Sequence, residues 1–205
     1  MALKIQVAKE SDAPNLLRIY RPIVETTAIS FELAPPGVDE FKERIRNVLF
    51  SHVWLVCEEA SEILGYAYAS KFRPREAYQW TAEVTVYVSP TQQRRGVARG
   101  VYLSLFAALR LQGFCTAVAV IALPNEASVK LHEDLGFKPI GIFPRIGYKL
   151  GKWHDTGWWQ LPLLEHPALP LPLRTVSDLS GTREWETALA TGLSCIKPAT
   201  LSTGV

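Results

Sequence analysis

The sequence predicts an α+β fold, a mixed sheet with helices on both faces. Three observations carry that expectation. Val84, Val86 and Val88 alternate with Glu83, Thr85 and Tyr87, which is the period of a strand. A basic loop with one glycine, Gln93-Arg94-Arg95-Gly96-Val97-Ala98, follows, and behind it Val101, Leu105, Ala108 and Leu109 mark one face of a helix. The unbroken apolar run at 117–123, rich in β-branched residues, then reads as a strand covered on both faces and parallel to the one before the loop.

The remaining elements fit around that centre. Residues 4–8 alternate as a strand, and Ser11 or Asp12 caps a helix carrying Leu16, Leu17, Ile19 and Tyr20. Pro35, Pro36 and Gly37 break the chain before a second helix, which Asp39 caps, Phe41, Ile45, Val48 and Leu49 face inward, and Ser51 ends. The runs 53–57 and 63–70 form an antiparallel pair across the polar link 58–62. The polar and aromatic segment 71–80 leads into the central strand at 82–88. The helix behind the basic loop spans 97–112 and stops at Gly113. Pro124-Asn125 ends the 117–123 strand; 128–135 returns to helical spacing with Gly136 as its stop, and 138–145 and 157–163 are extended. From 165 onward Pro167, Pro170 and Pro172 disfavour helix, and the rest is rich in Ser, Thr and Gly. Residues 1–164 are therefore expected to form the main domain and 165–205 a proline-rich extension, partly disordered or docked through a short helix with Trp185 and Leu189 on one face.

Composition removes several function classes. The 22 basic against 20 acidic side chains leave a formal charge of +2, too even for a nucleic-acid face or a polybasic membrane anchor. The longest apolar run is far short of the ~20 residues of a bilayer-spanning helix, so no membrane partner is expected. The amino-terminal MALKIQVAKE lacks the apolar centre of a secretion signal, and a cytoplasmic location is expected. The three cysteines, Cys57, Cys115 and Cys195, form neither a disulfide framework nor the paired spacing of a zinc site.

Any anionic ligand must then be held locally. Between a strand and a helix, the backbone N–H groups of residues 93–98 can point at a pyrophosphate at the positive end of the helix dipole. Gly96 tolerates close approach and unusual φ, and Ala98 is the next smallest choice. The segment has neither the Gly-Lys-Ser/Thr of a nucleotide-triphosphate loop nor the three glycines of a dinucleotide fingerprint.

Here the sequence resembles the GNAT superfamily of acyl-CoA-dependent N-acetyltransferases, whose Q/R-x-x-G-x-G/A loop matches Gln93 to Ala98. Trp80-Thr81-Ala82-Glu83, Val86-Tyr87-Val88-Ser89-Pro90, the stretch Ala119 to Asn125, Leu131-His132-Glu133-Asp134-Leu135-Gly136-Phe137 and Trp153-His154-Asp155 are similar, in order, to its phosphinothricin N-acetyltransferase branch. The resemblance runs from Ile5 to about Leu163. It implies a sheet of six to seven strands that splays between the Val84–Val88 and 117–123 strands, with acetyl-CoA as cosubstrate in the cleft. It assigns coenzyme contacts to Val86, Tyr87, Val88, Arg94, Arg95, Gly96, Val97, Ala98, Arg99, Asn125 and Ser128, and a homodimer to the family.

The chemistry follows from the reaction. An attacking amine must lose a proton, and Glu83 matches the branch's proposed general base; burial would raise its pKa and improve it as an acceptor, directly or through water. A backbone N–H near Val88 is the oxyanion donor that the resemblance implies. His132 stands where many family members carry a tyrosine acid, and it is either the proton source for the departing thiolate or a hydrogen-bonded histidine beneath the coenzyme. With no cysteine placed to carry an acetyl group, direct transfer in a ternary complex is expected. Arg75 and Glu76 lie in the matching acceptor loop with Tyr78, and Phe31 matches an aromatic lining position; Arg75 can grip a carboxylate in bidentate fashion. Together these suggest a small amino-acid analogue such as phosphinothricin, methionine sulfoximine or methionine sulfone. No metal is expected, since a single His154-Asp155 pair offers too few ligands, and a hairpin or dimer contact is the alternative for that motif. A peptide or protein amine as acceptor, or a non-catalytic acyl-CoA-binding module, are the competing readings.

Overall fold

The computed structural model describes residues 3–198; residues 1 and 2, and 199–205 of the expected extension, lie outside it. Seven strands form one sheet in the order β1-β2-β3-β4-β5-β7-β6. They are β1 (Lys4–Val7), β2 (Trp54–Glu59), β3 (Glu62–Lys71), β4 (Thr81–Val88), β5 (Thr116–Leu123), β6 (Lys138–Lys149) and β7 (Lys152–Pro162). Every pairing is antiparallel except β4 with β5. That parallel ladder has three rungs, Thr81 opposite Thr116, Ala82 opposite Ala117 and Glu83 opposite Val118, beyond which the two strands separate.

Helices α1 (Ala13–Thr26) and α2 (Val38–Ser51) cover one face, where Leu16, Leu17, Tyr20, Phe41 and Ile45 pack on Trp54, Val56 and Tyr66. On the other, α3 (Val97–Gln112) brings Val101, Tyr102, Leu105 and Leu109 against Leu55, Leu64, Ala82, Val84 and Ala117. Helix α4 (Glu126–Asp134) lies beside α3, joined through His132 and Tyr102. Because strand side chains alternate, Ala82, Val84, Val86 and Val88 belong to the α3 face, and Glu83, Thr85 and Tyr87 to the α1 face.

Some boundaries move from their sequence-based positions. The link expected at 58–62 shrinks to Ala60 and Ser61, both in the left-handed region at φ 50° and 66°, as a two-residue hairpin turn requires. Gly37, not Asp39, is the N-cap of α2; Asp39 falls in its first turn, where its charge still meets the helix dipole. The last hairpin is longer than 138–145 and 157–163 suggested. Pro139 and Pro144 mask β6 in the sequence, but β6 is an edge strand with register shifts at 139/141 and 143/147, which is where a sheet admits proline.

From Glu165 the chain runs back along α3 toward its N-terminus. Trp80 Nε1 donates to Leu171 O at 2.9 Å, and Arg174 N donates to Gln112 O at 2.8 Å. Two helices follow, α5 (Val176–Leu179) and α6 (Arg183–Ala190), and Leu179, Trp185, Leu189 and Ile196 join the α3-side core. The docking helix expected at Trp185 and Leu189 is α6.

Candidate functional site

Where β4 and β5 part, each strand presents an edge whose amide groups have no partner strand, and a linear ligand carrying amides can pair with such an edge. A narrow cleft of about 60 Å³ opens there, lined on the β4 side by Val84, Thr85, Val86 and Tyr87 and on the β5 side by Val120, Ile121 and Ala122. Ile29, Tyr102, Asn125, Ser128 and His132 complete it. A wider hollow of about 520 Å³ along α4 shares only Asn125 with this cleft and holds none of the other expected residues.

Glu83 occupies the last rung before the split, opposite Val118 on β5 and Ser70 on β3. Burial pushes its carboxyl above the usual carboxylate range, and the nearby positive charge of Arg73 works against that rise. Arg73 is itself held over the rings of Phe72 (4.5 Å) and Trp158 (4.9 Å). The cleft wall begins one residue past Glu83 at Val84, and Thr85, on the same face of the strand as Glu83, lies roughly 7 Å along it.

The basic loop enters α3 through two left-handed residues, Arg94 (φ 62°) and Gly96 (φ 85°). Gly96 is the N-cap and has no side chain to cap the first turn, so the N–H groups of Val97, Ala98 and Arg99 lack intrahelical partners. Such a turn followed by a helix start forms a concavity suited to an anion. Arg94 and Arg99 are exposed beside it, while Arg95 turns to the protein. Its guanidinium pairs with Glu59 (2.6 Å), donates to Gln92, and donates through Nε to Lys197 O at 2.9 Å.

At the start of α4, Asn125 Oδ1 accepts from Ser128 N at 3.2 Å and so caps the helix. His132 is buried one turn on. Its Nδ1 donates to Ser128 O at 2.7 Å, since a carbonyl only accepts, which leaves Nε2 of the neutral ring to accept from Tyr102 Oη at 3.1 Å. Burial lowers the His132 pKa, in keeping with a neutral ring. Tyr102 is the residue that sequence reasoning missed here: on its own helix it is one more inward position, and its partner lies 30 residues away.

The expected acceptor residues lie on two loops. Arg75, Glu76 and Tyr78 are exposed, with Arg75 as the N-cap of a 3₁₀ turn at Glu76–Tyr78, and the Tyr78 ring packs on Phe72 at 5.8 Å. Arg73, in the same segment, is the cation within electrostatic reach of Glu83. The Phe31 ring lies against Gly147 and 6.2 Å from His154 of the last hairpin and is not among the residues lining the cleft, whereas Ile29 on the same loop reaches it. Between them Ser30 is fixed twice: its Oγ bonds Tyr20 Oη at 2.7 Å, and its carbonyl accepts from the buried Lys149 Nζ at 2.6 Å. Trp153-His154-Asp155 belongs to the last hairpin. His154 Nε2 donates to Lys149 O at 3.0 Å, and Asp155 Oδ1 accepts from Arg145 N at 2.7 Å. Among the described residues no group of three or more His, Cys, Asp or Glu is placed to hold a metal ion.

Comparison with known proteins adds to this geometry. Residues 5–158 match the model of the acetyltransferase (GNAT) domain. The chain is 38% identical over 177 residues to a phosphinothricin N-acetyltransferase of Streptomyces viridochromogenes, which covers 86% of this chain and 96% of that protein. It is 33% identical to an L-methionine sulfoximine/L-methionine sulfone acetyltransferase of Pseudomonas aeruginosa, over 80% of this chain and 96% of that one. The crystal structure of a GNAT superfamily phosphinothricin acetyltransferase from Sinorhizobium meliloti in complex with acetyl-CoA superposes with a TM-score of 0.79 at 30% identity, over 87% of this chain and 97% of that chain.

Proposed function

The chain belongs to the GNAT acetyltransferase family, and from that premise we propose that it moves the acetyl group of acetyl-CoA to the amino group of a small amino-acid analogue of the phosphinothricin, methionine sulfoximine or methionine sulfone type. The observation that carries this reading is the split between β4 and β5, with Glu83 on its last rung and a glycine-capped helix start in the loop that follows β4. The residues present suit the cosubstrate: an open strand edge for its amide-bearing arm and a ring of N–H groups with Arg94 and Arg99 for its pyrophosphate. When bound, acetyl-CoA supplies the activated thioester.

The chain's own residues do the rest. Glu83, its carboxylate made more basic by burial, takes the proton of the attacking amine through water by way of Thr85. The main chain of Val86, Tyr87 and Val88 holds the thioester in line, and an N–H near Val88 meets the charge that grows on the carbonyl oxygen as the nitrogen–carbon bond forms. The carbon–sulfur bond then breaks, and the thiolate takes up one proton. The neutral His132 and its Tyr102 partner lie in the cleft wall. None of the three cysteines lines the cleft, which supports direct transfer in a ternary complex over an acetyl-cysteine. The cleft's narrowness favours a small acceptor over a peptide.

Homodimerisation and a cytoplasmic location form part of the proposal. The dimer finds support in the edge strand β6, on which Ile140, Ile142, Phe143 and Ile146 are all exposed; light scattering should give twice the chain mass. Among the described residues no helix is long and apolar enough to cross a membrane.

Release of free coenzyme A from acetyl-CoA, measured with phosphinothricin, methionine sulfoximine and methionine sulfone, tests the reading. Rapid release with at least one is expected. Acetyl-CoA binding without release on any small amine would overturn it and favour a peptide acceptor or a non-catalytic binder.

A further inference from the structure

The segment following α6 lies outside the residues 5–158 that match the family model, yet it ends against the coenzyme loop. Ser104 Oγ, on α3, donates to Leu189 O at 2.7 Å and accepts from Gly192 N at 3.1 Å, which steers the chain onto the first turns of α3. There two backbones touch. A Cβ on Gly192 would land on the carbonyl of Gly100, one on Gly100 would meet the Ile196 side chain and the Gly192 carbonyl, and one on Gly96 would strike the carbonyl of Cys195. Ile196 is buried in the α3-side core. The contact closes on Arg95: Lys197 N donates to Arg95 O at 2.8 Å, and Arg95 Nε donates back to Lys197 O at 2.9 Å. The same guanidinium pairs with Glu59 at the end of β2. A residue in the middle of the basic loop thus ties that loop to the sheet and to the carboxy-terminal segment at once, while its neighbours Arg94 and Arg99 remain exposed.

We infer that residues 192–197 are a strap that holds the coenzyme loop in its anion-receiving shape, and that Arg95 is a positioning residue acting through the strap rather than on the phosphate. The physical case is preorganisation. The loop contains two left-handed residues and an uncapped helix start, so its N–H groups converge on one point only if the main chain is held there. Gly96 serves the strap as well as the turn, because the space a side chain would take is filled by Cys195 O. Glycine at 100 and 192 has the same explanation, two main chains in direct contact.

The inference rests on the proposed use of acetyl-CoA, and the experiment separates the two. Acetyl-CoA is titrated calorimetrically into the wild type, Arg95→Ala, a chain stopped after Cys195, and the two changes combined. Lys197→Pro, which removes the N–H donated to Arg95 O and otherwise exchanges an exposed side chain, covers the case in which the shortened chain does not fold. Each single change is expected to weaken acetyl-CoA about tenfold, with the acceptor KM within twofold of wild type. The combination is expected to be no weaker than either alone, because both remove the same constraint. Single changes without effect on acetyl-CoA would overturn the strap. A combination that multiplies to about a hundredfold would show Arg95 acting on the phosphate itself and would overturn its assignment. A wild type that binds no acetyl-CoA would instead sink the reading on which the strap depends.

Discussion

The two ends of the cleft are built from different material. At the proposed coenzyme end the groups offered to the ligand are mostly main chain, the freed edges of β4 and β5 and the first N–H groups of α3, set by a glycine and a register, with the exposed Arg94 and Arg99 beside them. At the proposed acceptor end they are side chains: Ile29 lines the cleft from the loop that buried Lys149 fixes, and before β4 Arg73 stacks on Phe72 and on Trp158 of β7 while Tyr78 packs on Phe72. A main-chain site accepts one shared chemical group and tolerates much side-chain change, whereas a side-chain site is re-specified by one or two substitutions. The division suits an enzyme that keeps its donor and selects its acceptor. Glu83 stands at the junction, on the last shared rung.

The largest effect should therefore come from the junction. Glu83→Gln keeps the shape of the side chain and removes the proton acceptor; turnover is expected to fall about 10²- to 10⁴-fold while acetyl-CoA affinity, measured by titration, stays within twofold. A matching loss of acetyl-CoA affinity would mean that the last rung holds the split together, and the two ends would not be separable. The pH profile sharpens the same point. Glu83 works as a base only when ionised, so the rate should rise with pH through its titration, and burial places that rise above the ordinary carboxylate range. In Glu83→Gln this acid limb should vanish. An acid limb that persists unchanged assigns it to another group.

At the acceptor end the test is Lys149→Met. Lys149 Nζ is buried and donates to Ser30 O, fixing the loop that sets Ile29 in the cleft and carries Phe31. Methionine keeps the length and apolar stem but cannot donate. The acceptor KM is expected to rise about tenfold, on the order of the 1–3 kcal/mol lost when a buried carbonyl loses its partner, with the acetyl-CoA KM unchanged. Equal rises in both constants would erase the division between the ends.

How far the sequence could be read follows the same line. The strand at Val84–Val88, the basic loop, α3 from Val97 to Gln112 and the stop at Gly113 were all legible, because alternation, helical period and glycine are local signals. The main-chain groups proposed to meet the coenzyme are placed by those same elements. The fixing of Ser30 by Lys149 links residues 119 positions apart, and the Tyr102–His132 bond spans 30; no periodicity encodes such a pair. Arg75 is the expected acceptor cation by its place in the motif and lies exposed, while Arg73, two residues before it, is the cation stacked on Phe72 and Trp158 within electrostatic reach of Glu83. The run of prolines after Glu165 suggested a loose extension, and proline does exclude helix there; it says nothing about the core that accepts Trp185 and Leu189 a few residues later.

The smallest expected effect addresses a pair of side chains in the wall of the cleft. Tyr102 Oη donates to His132 Nε2 in the wall of the cleft. Tyr102→Phe removes that hydroxyl and leaves the ring nitrogen buried without its donor, at a cost of about 1–3 kcal/mol in stability, visible as a fall in Tm of roughly 2–4 °C per kcal/mol for a chain of this size. If the pair is only the packed floor beneath a main-chain site, turnover should stay within about threefold of wild type once the protein is folded. A larger fall in turnover, with both KM values held, would make the pair the proton source for the departing thiolate. In the resting geometry the His132 ring can supply nothing from Nδ1, which is engaged with Ser128 O. The proton would then have to come from the tyrosine, its phenol swinging from Nε2 toward the sulfur. His132→Asn separates the two cases, because a floor tolerates the phenol without its histidine, whereas a relay loses the group that orients it.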